Sequence, residues 1–67
     1  MKIKFKGKEE KELKEIETEA RNIKELLERK DINPVTHVVS LNGEIVTEDE
    51  ELSEGDEVKI QKVVSGG

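Results

Sequence analysis

The chain has no cysteine, tryptophan or tyrosine, and it contains one phenylalanine and one proline. Without cysteine there is no disulfide framework, no thiolate nucleophile and no cysteine-ligated metal site. A single aromatic residue leaves no stacking platform for single-stranded nucleic acid. No apolar run approaches the length of a membrane span, and the N-terminus does not resemble a signal peptide. We therefore expect a cytoplasmic protein that contacts neither nucleic acid nor membrane directly.

Charged residues are abundant in the sequence. They make up 43% of the 67 residues, with 17 acidic against 12 basic side chains and a net charge of −5. A negative protein is a poor partner for phosphate, which again argues against nucleic acid. The excess of Glu and Lys resembles the surface of a thermophile protein. Only 31% of residues are hydrophobic, which raises disorder as an alternative, but their regular spacing favours one small folded domain.

The first third of the sequence predicts two strands. Residues 1–6 alternate between apolar and basic side chains, as in a strand with one buried face. A polar turn follows, and a second strand is predicted from about residue 11 to residue 17. Its apolar residues Leu13 and Ile16 are three apart, which breaks the alternation. The segment is therefore equally compatible with the start of one long helix that ends near Lys30.

Asn22 argues against that long helix, because it has the features of a helix N-cap. Its side-chain oxygen can accept from the free amides of the first turn, and Glu25 can reach back from the third helical position. The helix should end near Lys30, since Pro34 disfavours helical backbone at the residue before it. The apolar residues between these limits form one stripe at helical spacing: Ile23, Leu26 and Leu27.

Asn42-Gly43 lies between two runs of β-forming residues and predicts a hairpin with a two-residue turn, in which both residues have positive φ. Across such a turn Leu41 faces Glu44. Ile45 then points away from the core, and the core side of the hairpin holds Val39, Leu41 and Val46.

A last strand is predicted over residues 57–64, after the turn at Gly55-Asp56. The order of elements is then ββαβ(β)β, with one helix covering one face of a mixed sheet of four to five strands. This α+β arrangement is the plan of a β-grasp, or ubiquitin-like, domain. We expect it to span residues 1–64 and to be followed by a flexible tail, residues 65–67.

The sequence finishes with Gly66-Gly67 directly after that strand. Glycine has no Cβ, so paired glycines make a thin tail that can thread a narrow channel. The only reactive group of such a tail is the α-carboxylate of Gly67, which is where we expect any chemistry to occur. A linker stub or cloning scar is the alternative explanation of the tail taken by itself.

Together these features resemble the ThiS/MoaD group of ubiquitin-like sulfur carriers, over essentially the whole chain. The sequence departs from the group after the hairpin, where Thr47-Glu48 replaces a Pro-Arg that ThiS-like proteins often carry. It also lacks the greater length and the prolines before the tail of MoaD-like proteins. Length therefore favours the ThiS-like branch or the archaeal ubiquitin-like modifiers. The segments that carry the resemblance are Met1-Lys2-Ile3-Lys4-Phe5, Ile23-Lys24-Glu25-Leu26-Leu27, Leu41-Asn42-Gly43-Glu44-Ile45-Val46, Leu52-x-x-Gly55-Asp56-x-Val58-x-Ile60 and Gly66-Gly67.

The resemblance implies a carrier rather than an enzyme. A ubiquitin-activating-type enzyme, which itself binds the ATP and Mg²⁺, would adenylate the carboxylate of Gly67, with Gly66 keeping the tail flexible. A sulfur donor such as a cysteine desulfurase or a rhodanese would then convert it to a thiocarboxylate. An acceptor enzyme would use that sulfur for thiamine, molybdopterin or tRNA thiolation. The chain would bind no cofactor of its own and act as a monomer.

The resemblance leaves a second function open. A ubiquitin-like modifier is joined through its C-terminal glycine to lysines of target proteins, and Gly67 would then form an isopeptide bond. A weaker third hypothesis is an inert or designed β-grasp scaffold.

One face of the sheet is the expected docking surface for the adenylating enzyme. By strand alternation it combines apolar contact with basic charge, as docking surfaces do. The alternative is a solvated face with two scattered apolar residues, which is common. The predicted partner-binding residues are Ile45, Val63, Lys4, Lys6, Lys59 and Gln61.

Two further features are not expected to be sites. His37 is the only histidine, and nothing in the sequence supplies the nucleophile or orienting partner that a general base requires. We expect it at a strand edge. The acidic run 48–51 lacks the glycine and the periodic ligands of a calcium loop, so we expect a solvated loop and no metal site.

Overall fold

The computed structural model describes residues 1–7 and 9–63, and within them one helix packs on a five-stranded sheet. The strands lie side by side in the order β2-β1-β5-β3-β4. The central pair, β1 and β5, is parallel, and the other neighbours are antiparallel. The predicted β-grasp architecture is confirmed. The elements are β1 Lys2–Lys6, β2 Lys14–Glu17, α1 Ile23–Arg29, β3 His37–Leu41, β4 Glu44–Val46 and β5 Glu57–Lys62.

β2 is shorter than predicted, and the alternative of one long helix is wrong. The strand begins at Lys14 rather than near residue 11, so Leu13 lies outside it. Its register with β1 places Ile16 opposite Ile3, and Ile16 packs against the core. β2 is an edge strand, and β1 provides the backbone hydrogen-bond partners on its inner side. The local spacing of apolar residues could not reveal that neighbour.

The helix begins as the capping pattern predicts. Asn22 has an extended backbone, and its Oδ1 accepts a hydrogen bond from the amide of Glu25 at 2.8 Å. The carboxylate of Glu25 reaches back to the amide of Arg21 at 3.3 Å rather than to that of Asn22. α1 ends at Arg29, one residue before the predicted limit.

The cap at Asn22 should contribute measurably to stability, because a seven-residue helix has few other local interactions. Replacing Asn22 with alanine leaves the amide of Glu25 without its acceptor, and we expect the free energy of unfolding to fall by about 1 kcal/mol. Asn22→Asp keeps a side-chain acceptor and should stay within a few tenths of a kcal/mol. Urea unfolding followed by circular dichroism measures both, and equal losses in the two variants would contradict the capping role.

The core lies between α1 and one face of the sheet. Its largest fully buried side chains come from β1, α1 and β5. Lys30, just after the helix, places its Nζ 5.2 Å from the centre of the Phe5 ring and closes that end of the core with a cation–π contact. The core residues are Ile3, Phe5, Ala20, Ile23, Leu26, Leu27, Val39, Leu52, Val58 and Ile60.

The hairpin turn has the predicted geometry, with φ of 52° at Asn42 and 88° at Gly43. Leu41 and Glu44 are paired across it. Asn42 also joins the turn to the last strand: its amide donates to the carbonyl of Glu57 at 2.8 Å, and its Oδ1 accepts from the amide of Glu57 at 2.9 Å. The turn is therefore held by the sheet as well as by its own sequence.

Candidate functional site

The predicted reactive residues Gly66 and Gly67 lie outside the described residues. The structure does position the chain that leads to them. β5 runs parallel to β1 and continues past the end of β1 at Lys6, which pairs with Lys59. Val63 follows β5, is 48% exposed, and donates its amide to the carbonyl of Thr36 at 2.9 Å. Val63, the last described residue, therefore lies where β1 ends and β3 begins.

The sheet face opposite the helix, the outer face, carries a row of four side chains across four strands. Lys6 pairs with Lys59, Lys59 with Ser40, and Ser40 with Ile45. Adjacent strands are about 4.8 Å apart, so Lys59 lies roughly 10 Å from Ile45. The predicted outward orientation of Ile45 is confirmed by its exposure of 78%. Its role in docking stays a prediction.

The next row toward the tail consists of Gln61 and Val38, which are paired between β5 and β3. Val63 follows on β5. Val38 and Ser40 are therefore members of the outer face that the sequence analysis missed. Placing Val39 in the core implies that both of its neighbours point the other way, so the signal was present.

Charge is distributed unevenly over this face. Toward β2, basic and acidic groups are close to each other: Lys4 Nζ lies 4.0 Å from Glu57 Oε1, and Lys2 Nζ lies 3.9 Å from Glu15 Oε1. Within residues 1–7 and 9–63, Lys6 and Lys59 have no carboxylate within 4.0 Å. Lys4 thus belongs to a region in which lysines lie close to carboxylates, here called self-neutralised, whereas Lys6 and Lys59 place positive charge in the same row as Ile45.

His37 does not form a catalytic arrangement. Its Nδ1 lies 2.9 Å from the carbonyl oxygen of Asn33 and 2.9 Å from the hydroxyl of Thr36. The two contacts are with a carbonyl and a hydroxyl, so among the described residues no carboxylate is bonded to the ring to orient it as a general base. The other ring nitrogen, Nε2, is buried and has no hydrogen-bond partner among the described residues. This agrees with a histidine at the end of a strand.

The acidic run after the hairpin is an exposed loop. The hydroxyl of Thr47 donates to the carboxylate of Asp49, and this bond is the main cause that lowers the pKa of Asp49 below its usual value. The bond therefore favours the ionised form of Asp49, and it is lost when acid protonates that carboxylate. No group of three or more His, Cys, Asp or Glu side chains in the described part of the chain is arranged to hold a metal ion.

A cavity of about 750 Å³ lies at the opposite end of the sheet from Val63. Met1, Thr18, Arg21 and Leu52 contribute to its lining. β1 starts there and runs toward the tail, so this cavity is about one strand length away from the chain that leads to Gly67. It does not belong to the site at the tail.

These features define a β-grasp domain of the ubiquitin-like class, in which the central strand β5 precedes Gly66-Gly67 in the sequence. The model of the ThiS family matches residues 3–67, and the chain belongs to the ThiS family. It is similar to an uncharacterized protein of Archaeoglobus fulgidus, with 42% identity over 67 residues that cover 100% of this chain and 97% of that protein.

Family membership supports a sulfur-carrier-type ubiquitin-like protein. Proteins of the ThiS family are small carriers rather than catalysts, and membership implies interaction with an adenylating enzyme and with sulfur-transfer partners in general. α1, the helix formed within residues 1–7 and 9–63, is not long and apolar enough to cross a membrane.

Proposed function

We propose that the chain carries sulfur as a thiocarboxylate on Gly67. The observation that carries this proposal is the family match, which extends through the diglycine at residues 66–67. The fold supports it, because β5 is a central strand and holds the base of the tail firmly at one end of the sheet. A partner can then grip a rigid domain while the tail enters its active site.

The chemistry proceeds by adenylation, sulfur transfer and, where a disulfide is left, reduction. The Gly67 carboxylate attacks the α-phosphorus of ATP on the partner enzyme and displaces pyrophosphate, which gives an acyl-adenylate. A sulfide equivalent from a persulfide donor then attacks the acyl carbon and displaces AMP. When the transferred sulfur is still joined to the donor by a disulfide bond, a thiol of the donor system reduces that bond and releases the thiocarboxylate. The chain has no cysteine that could attack the activated carbon instead.

The outer face is the proposed docking surface for the adenylating enzyme. It lies beside the root of the tail, and it combines the exposed Ile45 with the unneutralised charge of Lys6 and Lys59. A partner with an apolar centre and carboxylates at its rim would match this surface. The thiocarboxylate then serves thiamine, molybdopterin or tRNA thiolation.

Intact-mass spectrometry of the protein purified from its native cell tests the proposal. We expect a species in which one oxygen of the C-terminal carboxylate is replaced by sulfur, and we expect deletion of Gly66-Gly67 to abolish it. Substitution of Ser65 by alanine is the control and should leave the species unchanged. If sulfur transfer in the cell continues after the deletion, the proposal is wrong.

The same preparations test the alternative function. A ubiquitin-like modifier would appear in high-mass adducts with other proteins, linked through Gly67 to lysine side chains, and the adducts would disappear with the diglycine. If adducts are found and no thiocarboxylate is detected, the function is protein modification and not sulfur carrying.

A further inference from the structure

β3 is longer than β4, so the sheet lacks a strand where β4 stops. The last pair between them joins Val39 to Val46, whereas β3 begins two residues earlier, at His37. Beyond Val46 the chain turns to the helix, where the carbonyl of Glu48 accepts from the amide of Lys24 at 2.8 Å. The position beside His37, in line with β4, is therefore not filled by a strand of the described chain.

The backbone groups of His37 point into this position. The carbonyl of Thr36 accepts from the amide of Val63, and the amide of Asn42 donates to the carbonyl of Glu57, so these two positions of the chain bond to the β5 side. The amide of Thr36 itself donates to the carbonyl of Asn33. Backbone groups alternate in direction along an antiparallel strand, and Val39 and Leu41 pair with β4, so the amide and carbonyl of His37 face the β4 side. No backbone partner for them is found there within residues 1–7 and 9–63.

A groove of about 300 Å³ lies at this edge, here called the β4-end groove. Its lining is mostly aliphatic, with Leu27 and Pro34 on the helix side and Val38 and Ile45 on the outer-face side. Glu48 also lines the groove and is the acidic residue of its lining. It thus offers apolar contact, one negative charge and an unpaired strand edge together.

We propose that the β4-end groove binds an extended, basic segment of a partner protein, which adds to the sheet in line with β4. An extended backbone matches the unpaired amide and carbonyl of His37. An aliphatic side chain of the segment fills the groove beside Val38 and Ile45. A lysine or arginine of the segment pairs with Glu48, which a protein of net charge −5 favours over an acidic ligand. This site does not involve Gly67 and goes beyond sulfur carrying.

The test uses two capped peptides, acetyl-Lys-Thr-Val-Thr-Lys-amide and its acidic match acetyl-Glu-Thr-Val-Thr-Glu-amide, titrated into the isotope-labelled full chain. Amide NMR spectra should show saturable shifts at His37, Val38 and Thr47 with the basic peptide. The acidic peptide should bind at least threefold more weakly. No saturable shift up to about 5 mM basic peptide, which excludes a Kd near 1 mM, overturns the proposal. Shifts confined to β2 overturn it as well.

Two charge-reversal variants locate the contact. Glu48→Lys should weaken binding of the basic peptide by about three- to fivefold, the range of an exposed ion pair. Glu44→Lys makes the same change of charge at the other end of β4 and should alter binding by less than twofold; equal effects would contradict the site. Deleting Gly66-Gly67 should leave peptide binding unchanged although it ends sulfur carrying, so the two proposals fail separately.

Discussion

Replacing Leu26 with alanine should remove most of the stability of the domain. Leu26 is fully buried in the middle of α1, and truncating a buried leucine costs about 2–5 kcal/mol through lost burial and the cavity left behind. A 67-residue domain has only about 3–10 kcal/mol in total. Denaturant unfolding at constant pH measures the loss, and we expect the midpoint to fall sharply.

Ile45→Ala is the matched control, because it also shortens an aliphatic side chain. Ile45 is exposed on the outer face, so its truncation should change the free energy of unfolding by no more than about 0.5 kcal/mol. A loss at Ile45 as large as that at Leu26 would mean that the outer face is covered and that the core is wrongly placed.

Replacing Ile45 with aspartate should weaken association with the adenylating enzyme of the same cell by at least tenfold, which corresponds to about 1.4 kcal/mol. Ile45 is the large apolar side chain at the end of the row formed with Lys6, Lys59 and Ser40. A carboxylate there would be desolvated in the interface without a partner. Titration calorimetry with the purified enzyme measures the change, and Lys24→Gln, with the same change of charge on the helix, should have little effect.

The two lysines of the outer face give a matched pair for the same docking prediction. Lys59→Glu and Lys4→Glu change the net charge equally, but Lys4 is close to Glu57, whereas Lys59 lies beside Lys6. We expect Lys59→Glu to weaken association more, and the difference to shrink at high salt as the charges are screened. If both Ile45→Asp and Lys59→Glu bind normally, the outer face is not the docking surface.

Much of the site could be predicted because its signals are local. The turn at Asn42-Gly43 requires positive φ at two successive residues, and this determines the register of the hairpin and hence that Ile45 points outward. The cap at Asn22 likewise marks where the helix begins. The same alternation would also have placed Val38 and Ser40 on the outer face.

Other features depend on which strands become neighbours. The proximity of Lys4 to Glu57 arises from the parallel pairing of β1 with β5, which are separated by about fifty residues of chain. β2 begins at Lys14 because the pairing with β1 extends from there and places Ile16 opposite Ile3. The groove at the end of β4 arises because Glu48 bonds to the helix instead of continuing the strand.

By itself, the sequence determined the order of elements, the buried faces of the strands and the helix, and the diglycine after the last strand. Periodicity, caps and turn residues act over a few positions, so they can be read along the chain. Only the tertiary structure decided which charges neutralise each other, at which end of the sheet Val63 lies, and which strand edge of the described chain stays unpaired. These features depend on contacts between segments that are distant in sequence. On the outer face they separate the self-neutralised region near β2 from the basic and apolar region near Val63, and they leave the end of β3 unpaired beside β4.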